Sequence, residues 1–243
     1  GIASQGFGLR REILDDLLAR HAAGLDGVEW AEGFRVTGLL RGDGRPDGAV
    51  CGLVGIDRSG RREQVRARYV VGADGLRSRV AACLGARGRR RWLRKIALTT
   101  RFTEVVPIDG GELHLFPGGY FAACTVDEGL FSLNLVLDAA RVRGGREGLA
   151  RLLEEKIAAV PSVARRLERA RRVDPVRACG PFGSWTRARL FDGAALVGDA
   201  AGYVDPMTGE GISLALIGSA RLARHLVPAL AAGRTDPAAL RGY

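Results

Sequence analysis

The chain has 243 residues, of which 47% are hydrophobic and 26% charged, and a net charge of +10. This composition suits one large or two interleaved folded domains with a substantial core and excludes a disordered chain. The positive charge is nearly all arginine, spread along the chain apart from Arg87, Arg89, Arg90, Arg91 and Arg94 and without interleaved aromatics. That pattern argues against a nucleic-acid partner and for a solvated face or an anionic cofactor or substrate.

Residues 10–22 read as an amphipathic helix, with Ile13, Leu14, Leu17, Leu18 and His21 on one side and Gly24 at its end. A strand-like piece follows at Val28 to Trp30. Three short strands then suggest a β-meander: Phe34 to Leu40, Ala49 to Ile56 and Val65 to Val71, separated by Gly- and Asp-rich turns. The Gly- and Arg-rich residues 86–91 look like a crossing between domains.

Beyond them the period is two. Ile96, Leu98, Thr100 and Phe102 alternate with Lys95, Ala97, Thr99 and Arg101. Phe131, Leu133, Leu135 and Leu137 alternate with Ser132, Asn134, Val136 and Asp138. Both runs predict half-buried antiparallel strands. A strand pair broken at Pro117-Gly118-Gly119 lies between them. Residues 146–159 form a helix with Leu149, Leu152, Leu153 and Ile157 on one face, and a second helix after Pro161 carries Val163 and Leu167. A buried strand, Ala194 to Val197, runs into Gly198-Asp199, and the last helix starts near Gly211. That apolar stretch is broken by Arg221, Arg224 and His225, so no transmembrane helix is expected. Cys51, Cys83, Cys124 and Cys179 are scattered without a CxxC pair, which predicts no metal site and fits a cytoplasmic protein.

The run Ala195 to Leu216 carries most of the chemistry: an apolar strand, a Gly198-Asp199-Ala200 turn, a loop with Pro206, and Gly209-x-Gly211 opening a helix. A carboxylate at a strand end can accept hydrogen bonds from sugar-like hydroxyls, each worth about 1.5–3 kcal/mol. Gly209 and Gly211 let the backbone approach a flat ring. The helix N-terminus beyond presents unpaired N–H groups and about half a positive charge. A second run, Val70-Val71-Gly72-Ala73-Asp74-Gly75, ends a strand in a turn, with Ser78 as the natural N-cap of a following helix. A third is Arg11-Glu-Ile-Leu-Asp15, with Arg10 as the neighbouring alternative to Arg11.

These three runs, in this order and spacing, resemble the flavin-dependent family that includes para-hydroxybenzoate hydroxylase, geranylgeranyl reductases and flavin-dependent halogenases. The resemblance covers essentially the whole chain and is least specific in the middle third. It implies a mixed α/β (α+β) fold: a Rossmann-like FAD-binding domain with a β-meander, and an inserted antiparallel-sheet substrate domain. The implied bounds are 1–86 and 183–243 for the FAD-binding parts and 87–182 for the substrate domain.

It further implies FAD contacts at Arg11, Asp74, Gly75, Gly198, Asp199, Ala200, Pro206, Gly209, Gly211, Ile212 and Ser213, with Asp199 on the ribityl chain and Asp74 near the pyrophosphate and the nicotinamide route. NAD(P)H is the implied electron donor. The flavin carries the chemistry, either activating oxygen or reducing a double bond, so no protein acid–base pair is required.

The family also begins with a GxGxxG phosphate loop. Gly6-Phe-Gly8 is no substitute, because Arg11 stands at the third glycine and no apolar strand precedes it. The expectation is therefore a chain N-terminally incomplete for this fold, from a longer parent, that binds FAD poorly alone. Its alternative is a non-catalytic fragment. On the substrate side His114, Phe116, Tyr120 and Asn134 are the candidate pocket residues, for a hydrophobic small molecule, with peripheral membrane contact left open. Trp30, Trp92 and Trp185 stand apart, without the Trp-x-Trp motif of halogenases, and the loop Asp205 to Gly211 points to the reductase-type branch, whose members are monooxygenases or alkene reductases.

Overall fold

The computed structural model describes residues 8–42, 44–45, 48–89, 94–203 and 205–243. The first half of the chain gives α1 (Arg11–Ala23), β1 (Arg35–Arg41), β2 (Val50–Ile56), β3 (Arg62–Arg66), β4 (Val70–Gly72), α2 (Arg79–Cys83), β5 (Arg87–Arg89), β6 (Lys95–Thr103), β7 (Gly111–Phe116) and β8 (Gly119–Thr125). The second half gives β9 (Phe131–Asp138), α3 (Arg146–Ala159), α4 (Pro161–Arg166), β10 (Arg171–Arg172), β11 (Arg177–Cys179), β12 (Ser184–Thr186), β13 (Leu190–Phe191), β14 (Ala194–Leu196), β15 (Gly202–Tyr203) and α5 (Gly211–Ala231). They form two compact units. One holds residues up to Trp30 and Arg94–Pro181, the other Ala31–Leu93 and Phe182–Tyr243. Residues up to Trp30 thus group with the antiparallel sheet, whereas the sequence reading placed them with the FAD-binding part.

The first unit is built on an antiparallel sheet of order β10-β6-β9-β8-β7, with β11 also pairing β6. The alternation read from the sequence is realised. Leu98, Phe102, Phe131, Leu133, Leu135 and Leu137 turn to one face and bury against Leu153 of α3 and Val163 of α4. Burying side chains of this size contributes roughly 1.5–3 kcal/mol each. Thr99, Arg101, Ser132 and Asn134 turn to the other face. The helix α1 forms where the 3.6-residue period predicts it, but none of its residues is buried. It is anchored instead by Arg10, whose backbone N–H and guanidinium both donate to Asp127, at 2.7 and 2.5 Å. Burial works against the Asp127 charge, but Arg10 outweighs it and keeps that carboxyl below the usual range. No strand forms at Val28–Trp30, and Trp30 is exposed.

In the second unit β1, β2 and β3 make the expected meander. The third strand, expected to run from Val65 to Val71, divides. Arg62–Arg66 stays in the meander, while β4 leaves it to pair parallel with β14 in a sheet of order β13-β14-β4. Packing explains the switch: Val70 joins a core with Val80, Ala81, Ala194 and Leu196 that the meander does not offer. A small sheet of order β15-β12-β5 completes this unit. By length and composition α5 could cross a membrane, its most apolar window having a mean hydropathy of 1.2. Its inner face nevertheless packs on the β14 strand, with Leu222 and Ala229 buried alongside Ala195 and Val197. Leu214, Leu216, Ile217 and Val227 of the same helix are more than half exposed.

Candidate functional site

The Gly-Asp turn sits where β14, fully buried, reaches the surface. Gly198 has φ +59°, and a Cβ there would lie 3.2 Å from the Cβ of Ala215 in α5. Glycine is therefore needed twice, for the left-handed backbone and for the close approach of the helix. Asp199 and Ala200 complete a 3-10 turn, Asp199 half-buried and Ala200 buried. Thr186 donates to the Ala201 carbonyl at 2.5 Å and ties β12 to the turn.

The chain then passes β15, and Asp205 caps the 3-10 turn Pro206–Thr208 by accepting from the Met207 N–H at 3.0 Å. Gly209 follows with φ +69° and open space where a Cβ would stand. The helix α5 begins at Gly211, its N-cap Glu210 making no side-chain capping bond, with Ile212 and Ser213 exposed. The first turn of a helix has no intrahelical acceptors for its N–H groups, so this terminus carries outward-facing donors and positive potential. The Ser184 hydroxyl on β12 is buried without a hydrogen-bond partner among the described residues.

The second run is a capped turn. Gly75 has φ +74°, and the Ser78 hydroxyl accepts from the Ala81 N–H at 2.8 Å. The Asp74 carboxylate accepts from the Ser78 hydroxyl and from the Arg79 and Val80 N–H groups at 2.6–3.0 Å. Asp74 thus holds the start of α2, a role that the motif alone did not reveal. Gly72 is a packing requirement, since a Cβ there would lie 2.8 Å from both Leu196 and Val80 side chains.

In the first unit Arg11 donates to Asp15 through two bonds of 2.9 Å, and Arg10 is committed to Asp127 and Glu128. Arg11 and Asn134 line one cavity of about 470 Å³ together with Thr99, Arg101, Ser132 and Arg177. The other three pocket candidates lie outside that lining. Phe116 packs on Phe121, with ring centroids 5.6 Å apart. Tyr120 is buried, with the Lys95 ammonium 5.5 Å from its ring centroid.

His114 bridges Ser162 Oγ at 2.9 Å and Glu112 at 3.1 Å, and Arg166 donates to Glu112 at 2.8 Å. These are the residue types of a nucleophile, base and carboxylate chain. With Glu112 taken by Arg166, they act as a clamp between the edge strand β7 and α4. Gly8 lies against the β8 backbone, where a Cβ would come 2.2 Å from the Thr125 carbonyl oxygen, and Gly6 lies outside the described residues. Trp92 does too, while Trp30 and Trp185 belong to different units.

Arg101, Arg177 and Thr99 were not singled out from the sequence. Alternation put Thr99 and Arg101 on one face, but only the register of β11 on β6 brings Arg177 beside them.

A parallel strand pair, a strand-end Gly-Asp turn and an uncapped helix N-terminus define the second unit as a Rossmann-type, flavin-binding class of fold. The chain belongs to the FAD binding domain family, whose profile matches residues 9–243. It is 29% identical over 231 residues to digeranylgeranylglycerophospholipid reductase 2 of Methanopyrus kandleri, covering 89% of this chain and 54% of that protein. With the protein of the same name from Methanothermobacter thermautotrophicus it shares 30% identity over 248 residues, 98% of this chain and 60% of the relative. The chain thus spans little more than half the length of these relatives.

Among solved structures it superposes on a myxobacterial chondrochloren halogenase, described as a variant of FAD-dependent halogenases. The TM-score is 0.85 and the identity 25%, over 97% of this chain and 55% of that one. A geranylgeranyl bacteriochlorophyll reductase-like protein of Thermoplasma acidophilum gives TM-score 0.77 and 24% identity, over 95% and 57%. The residues present fit the ribityl and ring end of FAD: a strand-end carboxylate, an open glycine and a helix N-terminus without a side-chain cap.

Proposed function

We propose that this chain forms the flavin- and substrate-bearing part of a FAD-dependent oxidoreductase acting on a hydrophobic small molecule, with NAD(P)H as electron donor. The observation that carries the reading is the juxtaposition of the Asp199 turn, Gly209 and the uncapped start of α5. Asp199 accepts hydrogen bonds from the ribityl hydroxyls. Gly209 and Gly211 keep side chains away from the ring, and the Ile212 and Ser213 N–H groups set a positive field beside it. Pro206, held by the Asp205 cap, fixes the loop between them, and Asp74 and Gly75 shape the neighbouring turn. The bound flavin supplies two-electron transfer to or from the substrate. The names of the relatives, reductases of a polyprenyl lipid, favour double-bond reduction over oxygen insertion.

Titrating FAD into the protein and following flavin fluorescence tests the site. Asp199→Ala should raise Kd about tenfold or more, the equivalent of one charge-assisted bond. An unchanged Kd removes Asp199 from the site. NADPH oxidation with a prenyl substrate should proceed without oxygen; a strict need for oxygen with a hydroxylated product would make the enzyme a monooxygenase.

A second reading concerns strength. The sequence has no glycine-rich phosphate loop, β4 lies at a sheet edge, and α5 leaves an apolar face open, although parallel sheets are normally covered on both faces. On this reading the 243-residue chain holds FAD weakly and turns over poorly by itself.

A further inference from the structure

The two turns proposed to face the cofactor follow a pair of adjacent parallel strands, β4 and β14. The last backbone bond there runs from the Val197 N–H to the Gly72 carbonyl, at 3.0 Å. Past it the chain enters the Asp74 turn on one side and the Asp199 turn on the other. Strand pairing therefore sets where each turn begins and leaves its far end to other contacts.

The small sheet of order β15-β12-β5 supplies them. On one side β12 pairs antiparallel with β15, Ser184 opposite Tyr203 and Trp185 opposite Gly202. The next partner of Thr186 would be Ala201, but Ala201 has helical backbone angles, φ −80° and ψ −16°, and cannot continue a ladder. The Thr186 hydroxyl takes over at this point, donating to the Ala201 carbonyl at 2.5 Å. Ala201 closes the 3-10 turn that carries Asp199, its own N–H donating to the Gly198 carbonyl at 2.9 Å.

On its other side β12 pairs with β5, and there Thr186 stands opposite Arg87. Directly opposed residues of an antiparallel pair share one face of a sheet. The Arg87 guanidinium donates to the Leu76 carbonyl at 3.3 Å, in the loop between Asp74 and the cap residue Ser78. One cross-strand pair thus reaches both turns, Thr186 holding one and Arg87 the other.

We infer that Thr186 and Arg87 are positioning residues for the cofactor: they set how the Asp199 turn faces the Asp74 turn, and so aim the Asp199 carboxylate. Aim matters because hydrogen bonds from hydroxyls hold only over about 2.5–3.0 Å. The inference rests on the flavin reading of Asp199 and adds the residues that orient it. Thr186 is half-buried and Arg87 exposed, so Thr186 carries the larger share.

Fluorescence titration of the 243-residue protein and its variants with FAD tests it. Thr186→Val keeps the β-branched shape without the hydroxyl and should raise Kd about fivefold, the equivalent of one neutral hydrogen bond. Thr186→Ser, which restores the hydroxyl, should stay within about twofold of wild type. Arg87→Gln should raise Kd by a smaller factor, and serves if Thr186→Val melts early.

The double variant Asp199→Ala/Thr186→Val separates positioning from general stability. A residue acting through Asp199 adds nothing once Asp199 is gone, whereas a loss of stability raises Kd in both backgrounds. Hydrogen exchange of the flavin-free protein gives a second readout. Amides of residues 198–203 should exchange faster in Thr186→Val than in wild type or Thr186→Ser, with those of β6 and β9 unchanged. Equal Kd for wild type and Thr186→Val, with Asp199→Ala still costly, overturns the inference and leaves the flavin reading standing. So does a Thr186→Val factor of the same size in both backgrounds. An unchanged Kd in Asp199→Ala sinks the flavin reading and this inference with it.

Discussion

Individual side chains show where this fold is under tension. The ring of Tyr69 packs beside the cluster of Ala195, Val197, Leu222 and Leu240, yet its hydroxyl is buried without a partner among the described residues. Burial, with Asp192 and Asp236 nearby, pushes its pKa up to about 12. The unfolded chain would lose that proton near pH 10. The folded pKa is raised, so the stability it confers is full below pH 10 and is lost as pH rises toward 12. The ring is only half-buried, so screening reduces this to on the order of 1 kcal/mol. Tyr69→Phe should flatten the alkaline limb of a urea-stability profile. It should be neutral or stabilising by about 0.5–1 kcal/mol at pH 7, because an orphan hydroxyl is removed. A loss of stability at pH 7 would show that the hydroxyl has a partner. The Asp74–Ser78 cap is the opposite case, each polar atom being matched.

Among the elements, α4 shows how a six-residue helix can be held. It buries Val163, and its Ser162 and Arg166, one helical turn apart, grip His114 and Glu112 on alternate positions of the edge strand β7. The Arg166 Nε is already buried without a partner among the described residues. Removing Glu112 therefore strands the rest of the guanidinium, whereas removing His114 leaves the Glu112–Arg166 pair intact. Glu112→Ala should cost about 1–3 kcal/mol in urea unfolding and His114→Ala clearly less. A larger loss for His114→Ala would mean that the imidazole, not the ion pair, holds the clamp. This arrangement also accounts for His114 standing apart from the cavity that Asn134 lines. The two lie on different strands, and nothing in the alternating pattern of β7 fixes which partner its polar face meets.

For the whole molecule, the decisive quantity is how tightly it holds FAD unaided. On the proposed reading, Asp199 and the α5 terminus would meet the ribityl and ring end. Flavin fluorescence titration of the protein measures that affinity, and Asp199→Ala should lower it about tenfold or more.

Much of the fold was already written in local pattern. The alternation in β6 and β9, the helical period of α3 and the glycines of the Gly198-Asp199 and Gly209-x-Gly211 turns act over a few residues. They fix strands, helices and the Gly-Asp turn by short-range sterics and solvation. Long-range register acts between residues distant in the chain, so only the tertiary structure decided what depends on it. It split the third meander strand so that Val70 could reach the core, left the apolar side of α1 exposed and turned Asp74 into a helix cap. It also brought Arg177 level with Thr99 and Asn134, because pairing between β11 and β6 is set by the burial of a whole sheet face and not by any neighbour in sequence.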